Sequence, residues 1–203
     1  ITLVSISMKQ SEDQEITPHY DCSRLQSVGV DVFISERVEI RRPHLLKIGN
    51  HVAVDSGFYI TTAALIGNYV HIGPYVCVIG GAEAYLGMGD FTNIALGAKL
   101  LCGSDNFLGD GLISAPGIDP EYTSVKREPI ILEDFANVGA NAVIFPGVTL
   151  AQGSVLGALS VLKENTEPWT IYAGSPARPI KKRPKDQMLS YARKLGYRQS
   201  SDL

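Results

Sequence analysis

Cysteine is scarce in this 203-residue chain, with three residues, Cys22, Cys77 and Cys102, odd in number and far apart. Neither a disulfide framework nor a zinc site of paired cysteines is indicated, and Cys77 and Cys102 read as small apolar fillers. An excess of one charge is lacking too. Eighteen basic and twenty-one acidic residues leave a net charge of -3, and the one like-charge cluster is short: Lys181, Lys182, Arg183 and Lys185. A nucleic-acid partner is not expected. No apolar run approaches the roughly 18 residues that cross a bilayer, which argues against membrane insertion. Residues Ile1 to Gln10 carry neither the basic start nor the small-residue cleavage site of an export signal, so the expected location is cytoplasmic.

What the chain has instead is a period of six. Ile48, Val54, Ile60, Ile66, Ile72 and Val78 are spaced six apart, and Val52, Phe58, Ala64, Val70 and Val76 hold a second apolar set four beyond them. The register returns as Leu132, Val138, Ile144, Leu150, Leu156 and Leu162, accompanied by Ala136, Ala142, Val148, Ser154 and Ser160. A middle block carries it through Met88, Ile94 and Leu100, and an opening block through Val28, Ile34 and Ile40. Six fits neither the 3.6 of a helix nor plain strand alternation; it needs a flat strand and a sharp corner every six residues. Three sides then close a coil of eighteen, about six to eight coils in all, with one aliphatic residue per side pointing inward and stacking on its counterpart. The expected architecture is an all-β solenoid, a parallel β-helix.

Three interruptions break the register. Two extra residues at Arg42 to Leu46 predict a bulge, and four between Val78 and Met88 predict a small outward loop around Gly80, Gly81 and Glu83. The third, 101–131, contains the aperiodic stretch Leu101 to Glu128, rich in Gly and Pro; a loop of that length inside a regular solenoid points to function. After Pro184, Met188, Leu189, Ala192 and Leu195 fall at helical spacing, predicting one amphipathic helix over Lys185 to Tyr197 that docks on a coil or a neighbouring subunit. The organisation expected is an irregular segment 1–27, a β-helix domain 28–182, and a helix with tail 183–203.

Leu132 to Lys181 resembles the carboxyl-terminal coils of the hexapeptide-repeat acyltransferases. The resemblance rests on Asn137-Val138-Gly139-Ala140-Asn141-Ala142-Val143-Ile144, Pro146-Gly147-Val148-Thr149-Leu150, Val155-Leu156-Gly157-Ala158-Leu159-Ser160-Val161 and, most specifically, Ala173-Gly174-Ser175-Pro176-Ala177-Arg178. Met88-Gly89-Asp90-Phe91-Thr92-Asn93-Ile94-Ala95 is similar to a coil of amino-sugar members. The resemblance implies a left-handed helix, a homotrimer with its active site between subunits under the long loop, acetyl-CoA as acyl donor with no metal, and a sugar or nucleotide-sugar acceptor serving surface polysaccharide, including lipopolysaccharide, synthesis.

It also implies site residues. Ala140 and Ala158, eighteen apart, match small positions that let the pantetheine arm approach, and Lys163, Arg178 and Lys181 would meet the phosphates of the coenzyme. Many relatives place a histidine after a small-residue stretch in the loop. Here that stretch reads Leu101-Cys102-Gly103-Ser104-Asp105-Asn106-Phe107, and Asp105 stands in the place of the histidine. A carboxylate with a pKa of about 4 is a poor base for a sugar hydroxyl, whereas a neutral amine is already nucleophilic, so an amino-sugar acceptor is favoured over O-acylation. Asp105 is the first catalytic candidate, Glu83 the second, at a point where some amino-sugar members carry a catalytic histidine, and His71 the third, at an outward corner. Two other classes share the coil: a non-catalytic scaffold, and a γ-class carbonic anhydrase, for which His44, His51 and His71 are the histidines at hand.

Overall fold

A computed structural model of the chain describes residues 19–198; residues 1–18 of the expected N-terminal segment and 199–203 of the expected tail lie outside them. The hexad pattern folds as read, into three parallel sheets visited in rotation. The first side stacks Ser27–Val28, Leu46–Ile48, Ala63–Ile66, Tyr85–Met88, Ile130–Leu132 and Thr149–Leu150. The second stacks Val32–Ile34, Val52–Val54, Val70–Ile72, Asn93–Ile94, Asn137–Val138, Val155–Leu156 and Thr170–Gly174. The third stacks Glu39–Ile40, Tyr59–Ile60, Cys77–Ile79, Lys99–Leu101, Val143–Ile144 and Val161–Leu162. This is a left-handed β-helix of about seven turns. Coils are numbered here from one, at Ser27, to six, at Thr149; the strand Thr170–Gly174 opens an incomplete seventh.

The aliphatic columns explain the stacking. On the second side Ile34, Val54, Ile72, Ile94, Val138 and Leu156 follow one another in register, each buried. Tyr172 continues this column where the hexads would call for another aliphatic. Val28, expected as an inward residue, is instead 39% exposed: it opens the first column, whereas Ile34 of the same coil is buried beside the preceding chain, where the Tyr20 amide donates to the Ile34 carbonyl. The smaller inward residues also sit where their spacing puts them, with Ala136, Ala142, Ser154 and Ser160 buried beside the columns.

Corners need backbone that turns sharply and amides that the flat sides cannot pair. Between the first and second sides the turn is made at positive φ by His51, Tyr69, Phe91, Phe135 and Trp169. The first four rings stack in series, with centroids 4.6, 4.8 and 5.1 Å apart, and Trp169 tilts against Phe135. The preceding residues form a matching polar ladder: the amides of Asn50, Asn68 and Asp90 donate to the side-chain oxygens of Asn68, Asp90 and Asp134, at 2.9, 2.7 and 2.8 Å. Ring stacking and the extra hydrogen bonds offset the cost of a left-handed conformation for bulky residues.

The interruptions take defined shapes. A short 3-10 turn, Pro43–Leu45, absorbs the extra residues before coil two. The loop at Gly80 and Gly81 is held by their amides donating to Thr61 Oγ1, at 3.1 and 3.3 Å. The long insertion leaves the third side as a two-stranded antiparallel ribbon, Gly103–Asp105 with Val125–Arg127, and carries exposed Phe107, Leu108, Leu112, Ile113 and Tyr122.

The C-terminal helix runs Asp186–Lys194, shorter than expected, and Gly196 at φ 89° turns the chain beyond it. It docks on the aromatic corner, where Leu189 and Ala192 pack with Phe135 and Trp169. Leu195, expected on the buried stripe, is 56% exposed; Tyr197 takes that place, with its ring edge against Phe91 and Phe135 and its hydroxyl donating to Asp134 Oδ2 at 2.6 Å. Helical spacing failed there because the helix had already ended.

Candidate active site

After Leu162 the chain builds a hairpin, Thr170–Gly174 with Ala177–Lys182, across the open end of the helix. A cavity of about 690 Å³ lies between this hairpin and the outer face of the third side. Val143, Val161 and Phe145 supply one wall, Tyr172 and Pro176 another, and Lys163 and Arg178 both reach its rim. Lys163 Nζ sits 5.1 Å from the centroid of the Phe145 ring, and Arg178 Nη1 donates to the Ala177 carbonyl at 3.1 Å. Glu164 also lines the cavity, so the two cations leave a rim of net positive charge, which suits an anionic ligand carrying a long uncharged arm. Lys181, the third expected cation, pairs with Ile171 across the hairpin and does not line this cavity.

Ala140 and Ala158 lie one coil apart at the corner between the second and third sides. The Leu159 amide donates to the Ala140 carbonyl at 2.9 Å, and Ala158 is exposed. Gly139 permits this approach: a Cβ there would come within 2.4 Å of the Ala158 nitrogen. The corner is thus narrow, and it leads toward the rim that carries Lys163 and Arg178.

The catalytic candidates fall into two groups. Asp105 ends the first strand of the loop ribbon, half-buried, and its Oδ1 accepts from the Ser114 amide at 3.0 Å. Glu83 is exposed on the outward loop, and its carboxylate makes no hydrogen bond or ion pair with the described residues. The two loops leave from one corner, since Gly103, two residues before Asp105, abuts Gly80: a Cβ on Gly103 would lie 2.7 Å from Gly80 Cα. His71 is elsewhere. It lies within Val70–Ile72, on the flat second side and not at the corner expected of it, and its Nε2 meets Asp55 Oδ2 at 3.0 Å. Within one chain the third candidate does not join the first two.

The histidines of the metal reading diverge as well. His44 lies in the 3-10 turn and His51 Nδ1 meets Asp31 Oδ2 at 2.9 Å. Among the described residues no three His, Cys, Asp or Glu side chains come together to hold an ion. Cys102 is buried, and desolvation pushes its thiol up to about 12, consistent with an unreactive core residue. Sequence reasoning missed Phe145 and Tyr172 in the cavity wall and the whole aromatic corner. The corner had a signal: Gly-Asn-His at 49–51, Gly-Asn-Tyr at 67–69 and Gly-Asp-Phe at 89–91 repeat one local pattern coil by coil.

No protein-family model matches the chain. It is 30% identical over 164 residues to the dTDP-4-amino-4,6-dideoxy-D-glucose acyltransferase of Escherichia coli, covering 79% of this chain and 83% of that protein. Among solved structures, AntD, an N-acyltransferase from Bacillus cereus in complex with dTDP and 3-hydroxybutyryl-CoA, superposes with a TM-score of 0.83 at 33% identity, over 89% of this chain and 98% of that one. A hexapeptide-repeat acetyltransferase from Vibrio cholerae, 20% identical, shares the fold, with a TM-score of 0.54 over 80% of this chain and 77% of its own. The repeat and these relatives define the class, a left-handed β-helix enzyme that moves acyl groups. The chain belongs to the hexapeptide-repeat acyltransferases of the sugar-acetyltransferase type.

Proposed function

We propose that the chain transfers an acyl group from acyl-CoA, acetyl-CoA in the simplest case, to the amine of a nucleotide-linked amino sugar. The observation that carries this reading is the likeness, over 98% of its length, to AntD, a mutant of which was solved with dTDP-4-amino-4,6-dideoxyglucose and coenzyme A. The E. coli relative is named for the same kind of acceptor.

The acceptor nitrogen attacks the thioester carbonyl carbon and the tetrahedral adduct collapses with cleavage of the C–S bond. The amide forms, and coenzyme A leaves as thiolate and takes a proton. The nitrogen gives up one proton, which the Asp105 carboxylate accepts. Lys163 and Arg178 hold the coenzyme phosphates, with Lys181 contributing charge from beyond the rim, and the arm follows the Ala140 and Ala158 corner. Glu83, leaving from the same corner as the Asp105 loop, orients the acceptor. One chain offers half a cleft, and the exposed apolar loop residues Phe107, Leu108 and Ile113 support a homotrimer in which each loop covers a neighbour. Such an enzyme works in the cytoplasm and supplies acylated sugars for surface polysaccharide, including lipopolysaccharide.

The test is thiol release from acetyl-CoA with dTDP-4-amino-4,6-dideoxyglucose, a free amino sugar and a neutral sugar. Turnover with the first and little with the others is expected; equal rates with a sugar that bears only hydroxyls would overturn amine selectivity. Sedimentation of the active species as a monomer would overturn the trimer.

A further inference from the structure

The third corner, where a coil passes from its third side to the first side of the next, carries the small loop that presents Glu83. That loop is a tight turn, Gly81-Ala82-Glu83-Ala84, closed by the Ala84 amide donating to the Gly81 carbonyl at 3.3 Å. Its far end is fixed by packing: Ala84 is 2% exposed, and its carbonyl accepts from the Ala63 amide at 3.2 Å. Its near end lies beyond the strand Cys77–Ile79, so no ladder holds it. There the consecutive amides of Gly80 and Gly81 donate to one atom of the preceding coil, Thr61 Oγ1, at 3.1 and 3.3 Å.

Thr61 is itself held through both backbone groups. Its amide donates to the Val78 carbonyl of coil three at 3.0 Å, and its carbonyl accepts from Arg42 Nη1 of coil one at 2.6 Å. Its half-buried hydroxyl is therefore a fixed point, and one oxygen that accepts two consecutive amides restrains both the position and the direction of the chain. Gly81, at φ 84°, then turns the chain outward toward Glu83, in a conformation that a side chain would strain. On its other side Gly80 lies against the base of the Asp105 ribbon: a Cβ on Gly80 would come within 2.9 Å of the Cys102 carbonyl carbon and of the Gly103 nitrogen. Where Gly80 sits thus sets the separation of the two loops.

We infer that Thr61 is a positioning residue for acyl transfer: by accepting the Gly80 and Gly81 amides it holds the turn that carries Glu83 in place beside the Asp105 ribbon. The inference rests on the reading above, in which Glu83 orients the acceptor and Asp105 receives its proton. Thr61 acts through the turn and not on a substrate.

Backbone exchange and kinetics test this together. Thr61→Val keeps the shape of the side chain and removes the acceptor, whereas Thr61→Ser keeps the acceptor; Thr61→Ala replaces Thr61→Val should the latter not fold. Amide hydrogen exchange, read by mass spectrometry on peptides spanning Gly80 and Gly81, should quicken about 5-fold or more in Thr61→Val and return toward the parent in Thr61→Ser. With acetyl-CoA and dTDP-4-amino-4,6-dideoxyglucose, kcat/KM for the sugar should fall about 10-fold or more in Thr61→Val, with coenzyme A affinity unchanged and Thr61→Ser close to the parent. In a Glu83→Gln background the same substitution should cost less than about 2-fold, because the group it positions is already gone. Unchanged exchange overturns the restraint. Faster exchange with unchanged kcat/KM, a loss that Thr61→Ser does not recover, or a full loss in the Glu83→Gln background overturns the positioning role and leaves the proposed reaction standing. A parent that does not acylate the sugar removes the reaction and the inference together, while its amide exchange still reports whether the turn is held.

Discussion

Gly139→Ala tests the narrow corner most directly. The added Cβ would stand 2.4 Å from the Ala158 nitrogen, 2.6 Å from the Gly157 carbonyl carbon and 2.8 Å from the Leu156 oxygen, all backbone of the next coil. Normal contact requires the two coils to part locally by roughly 1 Å. The bonds that would stretch are Gly139 N to Leu156 O, now 2.7 Å, and Leu159 N to Ala140 O, now 2.9 Å. Overpacking costs about 1–3 kcal/mol and a weakened ladder bond about 1 kcal/mol. Reduced freedom of the unfolded chain returns about 0.4–1 kcal/mol. A net loss of about 1–3.5 kcal/mol follows, or about 2–14 °C in melting temperature for a chain of this length. Gly157→Ala is the control, because its nearest atom is the Ala173 Cβ at 3.0 Å, a side chain at the edge of contact; its loss should stay within about 1 kcal/mol. Circular dichroism through urea and thermal unfolding reads both. If Gly139→Ala unfolds with the parent, or Gly157→Ala proves the worse of the two, the coils are not packed as tightly as the argument needs.

The other expectations concern the site and its supports. Ala158→Trp should abolish coenzyme A binding while sedimentation stays that of the parent; undiminished binding would misplace the groove. Asp105→Asn keeps the acceptor for the Ser114 amide but removes the charge, so kcat should fall by about 10²-fold or more with coenzyme affinity unchanged, and an unaltered kcat would take Asp105 out of the chemistry. Cys102, with its thiol raised to about 12 by burial, should resist a thiol reagent at pH 8 until the protein unfolds; prompt labelling of Cys102 in the native state would contradict its packing. Burial and the Asp134 carboxylate raise the Tyr197 phenol above its usual range, so the folded state favours the protonated form. Its contribution is complete below about pH 10 and fades as pH rises beyond it; Tyr197→Phe should lose about 1 kcal/mol at neutral pH and flatten that alkaline decline, and an identical alkaline profile would refute the docking role.

How far the sequence reached differed from element to element. The columns through Ile72, Ile94 and Val138 were legible because a hexad repeat has one inward aliphatic per side whatever the surroundings. The lengths of the interruptions were legible as well, since register resumes beyond them. Val28 and Leu195 misled for a shared reason: each has the right residue type at the right spacing but falls at the end of its element, Val28 in the first strand of its column and Leu195 beyond the last turn of the helix. His71 was placed at a corner because spacing alone does not show where a strand ends and a turn begins.

The repeat by itself therefore determined a coil with inward aliphatics, its interruptions, and the terminal Ala173-Gly174-Ser175-Pro176-Ala177-Arg178 stretch that marks the family. All of these are local and periodic, and a period survives in one dimension. Only the tertiary structure decided that Lys163 and Arg178 share a cavity from which Lys181 is excluded, that Glu83 and Asp105 leave from a common corner, and that the Thr61 hydroxyl meets the Gly80 and Gly81 amides. Those residues are 15 to 22 positions apart, and what brings them together is the number of residues each coil consumes. That number is 18 only where no loop intervenes, so which side chains meet depends on how each insertion is absorbed.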